Sequence, residues 1–155
     1  MAMEIYVISD NKLTSISTWQ RAIDLEGFDL QLSTETSFEA LDGFLPALSG
    51  RKITGFECDH WAIDDVIGTY PDMDFGRAWR CVLAFRWIGD LAEMHAAWMA
   101  AAAYAQAVDG IVFDPQEGKI FTPRQAVDVV HQIKHDMPRM KEAMHEIMRR
   151  LTPKT

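Results

Sequence analysis

Cysteine is scarce in this chain of 155 residues, and its two cysteines do not form a CxxC pair. Cys58 and Cys81 therefore predict no disulfide framework, and a reduced, cytoplasmic setting is expected. The first residues lack the basic and apolar segments of a secretory signal. No apolar run approaches the roughly 20 residues that a membrane-spanning helix needs. No association with a membrane is expected.

Basic residues are also few, since 15 Lys and Arg stand against 23 Asp and Glu, for a formal net charge of −8. Nucleic-acid binding relies on clustered Lys and Arg, so this balance argues against a nucleic-acid partner. It favours solubility or a basic protein partner. The chain does hold some bases near its C-terminus, among them Arg139, Lys141, Arg149 and Arg150.

Catalytic and cofactor motifs are missing as well. No GxSxG, GxGxxG or HRD-like stretch occurs, and SGRK at residues 49–52 lacks the glycine spacing of a phosphate-binding loop. No cofactor is predicted, and a non-enzymatic protein is favoured. A small enzyme stays open as an alternative, because residues distant in sequence can meet in the fold.

The patterns that are present predict one α+β domain over residues 1–155. The chain is long enough to bury about 70% of the surface of its unfolded form. Strand-like alternation and helical spacing predict a mixed or antiparallel sheet of about five to six strands with helices mainly on one face. The order of elements indicates a variant of the ferredoxin-like arrangement with a long C-terminal helical segment. Residues 43–52, rich in Gly, Pro and Ser, are expected to form a loop.

The best-marked element is an alanine-rich helix that begins after Asp90 and ends at Asp109-Gly110. Asp90 can accept hydrogen bonds from the first turn, and glycine can close the helix in a left-handed conformation. One face is apolar and a second is nearly all alanine, which predicts close packing on both sides. A short hairpin then follows over residues 111–121.

A long connection between two predicted strands carries most of the candidate partner-binding residues. Residues 62–77 contain Asp64, Asp65, Asp72 and Asp74, and connections of this length are often functional. We expect these acids to bind a basic partner. A Ca²⁺ or Mg²⁺ site and plain solvated acids are the alternatives, but the regular ligand spacing of a calcium loop is missing.

The densest group of potential metal ligands is Glu57, Cys58, Asp59 and His60, followed by Asp64 and Asp65. Cys58, His60 and Asp64 are weak candidates for a metal site, although no spacing matches a known closed site. The alternation of the strand favours a buried Cys58 in the core. His131 and His135 are four residues apart on a predicted helix, yet no third ligand is evident, so solvated histidines are favoured.

The C-terminal segment has the clearest periodicity of the chain. Apolar residues step by four and three, as in a heptad repeat, at Ala126, Val130, Ile133, Met137, Met140, Met144, Ile147 and Leu151. Met137, Met140, Met144, Ile147 and Leu151 are predicted to form an oligomer seam, so a homodimer is expected. Pro138 predicts a kink or break near Met137. Residues 136–155 are expected to protrude or to be exchanged between subunits if they do not cover the sheet of their own chain.

Two stretches resemble small bacterial domains of uncharacterised function, some of which are antidotes found beside secreted toxins. They are SGRKITGFE, entering a strand, and AAAYAQAVDGIVFDPQEG, a helix leading into a hairpin. The resemblance implies a bacterial protein that binds another protein, and it transfers no catalytic residue. The leading expectation is therefore a protein-binding domain, with an inhibitor or antidote of a basic partner as one form. A metal protein or enzyme and an oligomerisation module are the alternatives.

Overall fold

The computed structural model describes residues 2–152 as one α+β domain of seven strands and four α-helices. Residues 153–155, the end of the predicted protruding segment, lie outside the described residues. The strands are β1 Met3–Ser9, β2 Gln31–Leu32, β3 Asp42–Ser49, β4 Lys52–Ala62, β5 Cys81–Trp87, β6 Ile111–Asp114 and β7 Lys119–Phe121. The helices are α1 Ile16–Leu25, α2 Ile63–Thr69, α3 Leu91–Val108 and α4 Pro123–Leu151, and Phe38–Ala40 forms a short 3-10 helix.

All strand pairs are antiparallel, and the sheet order is β2-β3-β4-β5-β1-β6-β7. The inner strands β4-β5-β1-β6, joined through α1 and α3, have the order of a ferredoxin-like split βαβ arrangement. The hairpin of β2 and β3 extends one edge of this unit, and β7 extends the other. The predicted α+β class is confirmed, and the sheet has seven strands because β3 forms where residues 43–52 were expected to be a loop.

Helices α1, α3 and α4 lie on one face of the sheet, which we call the helical face. Its core is centred on Trp19, a fully buried side chain whose Nε1–H donates to the carbonyl of Ala100 at 3.0 Å. Ala96, Ala100 and Ala103 are fully buried in α3, as the predicted close packing requires. Small side chains let α3 lie against strands, α1 and α4 at once. The alanine-rich helix is therefore the centre of the fold.

The end of α3 differs in one detail from the sequence prediction. Asp109 takes the left-handed conformation, with φ of 54°, whereas Gly110 does not have a positive φ. A Cβ built on Gly110 would lie 2.5 Å from the carbonyl oxygen of Ile8. Glycine is needed at this position because the chain passes directly against β1 as it enters β6.

The opposite face, which we call the second face, is covered only in part. The segment after β4 forms α2 and a turn that place apolar side chains over β1, β5 and β6. Together with strand residues they form a smaller core of Tyr6, Ile8, Val66, Val82, Ala84 and Phe113, flanked by Trp61, Ile63, Tyr70, Met73, Phe75 and Trp79. The long connection is thus a structural cover for part of this face.

Residues 43–52 are not a loop, contrary to the prediction. They contribute most of β3 and the turn into β4, and β3 pairs with β4 from Asp42 to Ser49. Pro46 is tolerated because its outer neighbour β2 has only two residues and leaves the edge almost free. The Pro46 carbonyl accepts a hydrogen bond from the backbone of Ser33 at 2.9 Å.

Of the kink or break predicted near Met137, the break is wrong, since α4 runs without interruption from Pro123 to Leu151. Thr122 and Gln125 form a capping box at its start, with bonds of 3.2 and 2.9 Å. Pro138 removes one helical hydrogen bond, but its position is exposed and water can solvate the freed carbonyl. The helix is about 43 Å long.

Candidate binding surfaces

The predicted acidic residues all lie on the outer side of the segment that covers the second face. Asp64, Asp65, Asp72 and Asp74 are exposed, and none takes part in an ion pair within residues 2–152. Asp64 and Asp65 lie in the first turn of α2, where a carboxylate is favourable. Asp74 Oδ1 accepts from the Gly76 amide at 2.8 Å. These four acids are accessible, and their partner-binding role stays a prediction.

The second face has an uncovered region that the sequence analysis missed. We call it the open corner and define it by the outward side chains of Phe44, Pro46 and Leu48 in β3 and Ile53 in β4. Phe44 is 57% exposed and Ile53 is 82% exposed, while Leu48 lies directly opposite Ile53. Exposed apolar side chains that are neighbours on one surface are typical of a binding site.

A glycine stabilises the aromatic part of the open corner. Gly55, in β4, has φ of 155°, and a Cβ built there would lie 2.5 Å from Cζ of Phe44. The Phe44 ring therefore lies over the backbone of Gly55 and covers the gap that a missing side chain leaves in the sheet. The ring is held in place from below while its outer side remains accessible.

Two acids from neighbouring strands border the open corner. Asp42 and Asp59 are directly opposite each other in the pairing of β3 and β4, and like charges in such positions repel. The Gly43 amide donates to Asp59 Oδ1 at 2.6 Å. Burial raises the pKa of Asp59, and the adjacent Asp42 carboxyl raises it further. This pair forms the acidic border of the open corner.

The nearest base, Arg86, is bound to other acids. Its guanidinium lies 3.5 Å from Glu4 Oε2 and 3.9 Å from Glu57 Oε2. Glu57 faces Arg86 in the register of β4 and β5, whereas Asp59 faces Ala84. Tyr70 adds a hydrogen bond to Glu4 Oε1 at 3.0 Å. Arg86 thus pairs with two other carboxylates. Neither Asp42 nor Asp59 has an ion-pair partner in the described part of the chain.

The second accessible surface is the end of α4. Ala126 and Val130 are buried against α3, but every residue from 141 to 152 is exposed. Of the predicted seam, Met137 and Met140 are half-buried, and Met144, Ile147 and Leu151 are exposed. Met148 is exposed beside them. The segment does protrude from the domain, and the dimer that it was expected to form stays a prediction.

The candidate metal ligands do not meet. Cys58 is fully buried in the core of the helical face, where burial raises the pKa of its thiol. His60 Nε2 lies 2.8 Å from the carbonyl oxygen of Phe38, and Asp64 is exposed on α2 across the sheet. Across residues 2–152 there is no group of three or more His, Cys, Asp or Glu side chains that could hold a metal ion. The interpretation of Cys58 as a core residue is confirmed.

His95 in α3 and His131 and His135 in α4 lie on the helices of the helical face. His131 and His135 are exposed, and the His131 ring packs edge-on against Phe28 with 6.1 Å between centroids. His95 Nε2 is buried and finds no hydrogen-bond partner among residues 2–152, and its burial lowers the pKa of the ring. Together with Asp29 and Lys134, His95 and His131 line a cavity of about 250 Å³. No chemical step follows from this arrangement.

Comparison with protein-family models, with curated proteins and with solved structures found no match to this chain. Among the described helices, none has both the length and the apolar character needed to cross a membrane. The site therefore has to be interpreted from its own geometry.

Proposed function

We propose that this chain is a non-enzymatic protein-binding domain that binds a basic partner at the open corner. The observation that supports it is that β3 and β4 carry, on one face, the exposed apolar side chains of Phe44 and Ile53 and the acids Asp42 and Asp59, which have no ion-pair partner within residues 2–152. The resemblance to antidote-like bacterial domains fits this proposal, with an inhibitor of a basic protein as one form. The free cysteines fit a reduced bacterial cytoplasm.

The apolar part of the surface would provide most of the binding free energy. A partner side chain that covers Ile53 and Phe44 removes apolar area from water, which contributes about 25 cal/mol per Å². Phe44 is well suited to this role because its ring is already positioned over Gly55 and loses little freedom on binding.

The acidic border would select the partner. An arginine or lysine inserted between Asp42 and Asp59 would replace the repulsion of two carboxylates with two attractive contacts. An acidic partner would add a third negative charge at the same place and be rejected. The geometry thus favours a basic protein over a neutral or acidic one.

The acids of the α2 segment would act at longer range. Asp64, Asp65, Asp72 and Asp74 belong to the cover of the same face of the sheet, so their field acts on the same side as Asp42 and Asp59. Exposed charges of this kind increase the association rate more than the lifetime of a complex. We expect them to attract the partner that the open corner then holds.

To test the proposal, a synthetic amphipathic peptide of leucine and arginine is added to ¹⁵N-labelled protein, and its binding is monitored by NMR. We expect shift changes centred on β3 and β4, and weaker binding in Ile53→Ser and in the Asp42→Asn/Asp59→Asn double variant. The quadruple Asp→Asn variant at positions 64, 65, 72 and 74 should reduce the association rate and its dependence on salt.

Leu25→Ser is the matched control, because Leu25 is 83% exposed but lies at the end of α1 on the helical face. It should bind like the parent protein. The same peptide with glutamate in place of arginine should not bind. Binding of both peptides alike, or shift changes away from β3 and β4, would contradict the proposal.

A further inference from the structure

The last third of α4 has an apolar stripe that no other part of residues 2–152 covers. Residues 141–152 are all exposed, and Leu151 is 73% exposed at the end of the stripe. An isolated helical segment of this length is only marginally stable in water. The stripe is continuous with Ala126 and Val130, which are buried against the domain, so the helix direction is set by its first half.

We propose that a second copy of this chain covers the stripe, with the two α4 helices antiparallel. The heptad spacing is the first reason. Steps of four and three residues place the apolar side chains in one stripe along the helix. Two copies of this stripe can pack against each other, as a two-fold symmetric pair requires. The seam reaches from Ile133, half-buried at the edge of the domain, to Leu151.

The position of the domain excludes a parallel pair. Ala126 and Val130 belong to the same stripe, and their side of the helix is filled by the domain of their own chain. In a parallel pair the partner helix would have to occupy that volume. In an antiparallel pair, each domain lies beyond the end of the other helix.

The charges beside the stripe favour one register. With Met140 of each copy opposite Met144 of the other, Asp136 of each copy lies next to Arg150 of the other, on the same flank. Asp136 also pairs with Arg139 of its own chain, and Arg150 with Glu146, so each contact between the copies extends an existing ion pair. On that flank the two copies of Ala143 approach each other near the symmetry axis and leave room for close contact. The register contains six apolar layers between Ile133 and Leu151, over about 28 Å of helix.

The opposite flank is less favourable but does not prevent pairing. The two copies of Lys141 meet there, and their long side chains can extend into water. Lys134 of one copy lies beside Met148 of the other, where its methylene groups can cover the thioether. The register therefore has two attractive pairs against one repulsive pair.

Analytical ultracentrifugation of the full chain over a wide concentration range tests the proposal. The parent protein should sediment at twice the chain mass of 17.6 kDa. Met144→Glu places a charge near the symmetry axis and should give a monomer. His145→Glu, one residue further on and outside the seam, is the matched control and should remain a dimer. A monomeric parent protein at all concentrations, or a dimeric Met144→Glu, would overturn the proposal.

Charge reversal tests the register. Asp136→Arg and Arg150→Asp should each weaken the dimer on the order of tenfold, since attraction becomes repulsion at two symmetric positions. The double variant should restore it. Failure of the double variant to recover the dimer would exclude this register. Ile53→Ser should leave the dimer unchanged, so that dimer formation and binding at the open corner can be judged separately.

Discussion

Asp42 and Asp59 lie opposite each other across β3 and β4, with the Gly43 amide bound to Asp59 and no ion-pair partner for either within residues 2–152. Two like charges in directly opposed positions destabilise a sheet by a few tenths to about 1 kcal/mol. The fold tolerates this repulsion next to an exposed phenylalanine. A destabilising feature beside an apolar surface is typical of a site shaped by binding.

Replacing Asp42 with asparagine should stabilise the free protein. Asp42→Asn removes one of the two opposed carboxyls, so at neutral pH it should raise the free energy of unfolding by up to about 1 kcal/mol. Because the native pKa of Asp59 is raised, its ionised form opposes folding; this penalty shrinks as the pH falls through that pKa and is gone below the pKa of the unfolded state. The gain should therefore shrink in acid. Urea unfolding as a function of pH measures it.

The same substitution should lower the pKa of Asp59, which NMR titration of its carboxyl carbon would report. Glu57→Gln is the control, since Glu57 faces Arg86 and its loss removes an attraction. That variant should not be stabilised at neutral pH. An unchanged Asp59 pKa in Asp42→Asn would show that the two carboxyls do not interact.

Replacing Pro138 with alanine should strengthen α4 without changing its course. Alanine restores the missing amide donor in the middle of a continuous helix. This should raise the free energy of local opening by up to about 3 kcal/mol. Amide hydrogen exchange of the surrounding turns should become slower. Pro123→Ala is the control, because proline at the first helical position costs nothing. Faster exchange in Pro138→Ala would mean that the helix needs a kink there.

The two cysteines should differ strongly in reactivity. Cys58 is buried and its pKa is raised, so alkylation of the native protein should be at least about a hundredfold slower there than at the partly exposed Cys81. Mass spectrometry of peptides after timed alkylation measures both rates. Both cysteines should react alike in denaturant. Rapid native alkylation of Cys58 would revive a nucleophilic or metal-binding role for this thiol.

Local sequence signals predicted the elements well where one residue type dictates a conformation. Asp90 marked the start of α3, and the alanine-rich face of that helix predicted its close packing. The signals failed where context overrides propensity. Pro46 suggested a loop, but it lies in β3, whose outer neighbour β2 has only two residues. Pro138 suggested a break, but it lies on the solvated side of α4.

The candidate site was harder to predict than the fold. The four acids of the α2 segment stand out in sequence because they are close together in the chain. Asp42 and Asp59 do not stand out in sequence, since they are seventeen positions apart. Residues 43–52 were predicted to be a loop, so the strand pairing that brings the two acids together was not expected. A signal was available in the alternation of Phe44 and Leu48, which the Gly and Pro residues around them obscured.

The sequence by itself determined the α+β class, the alanine-rich central helix and the heptad stripe, because periodicity and capping act over a few residues. Only the tertiary structure decided which apolar residues stay uncovered. Phe44 and Ile53 have the same hydrophobicity as core residues, and they are exposed because α2 ends before it reaches them. The stripe of α4 is likewise buried in its first half and exposed in its second, since the domain that covers it ends near Ile133. Exposure depends on the extent of neighbouring elements, and no local pattern encodes it.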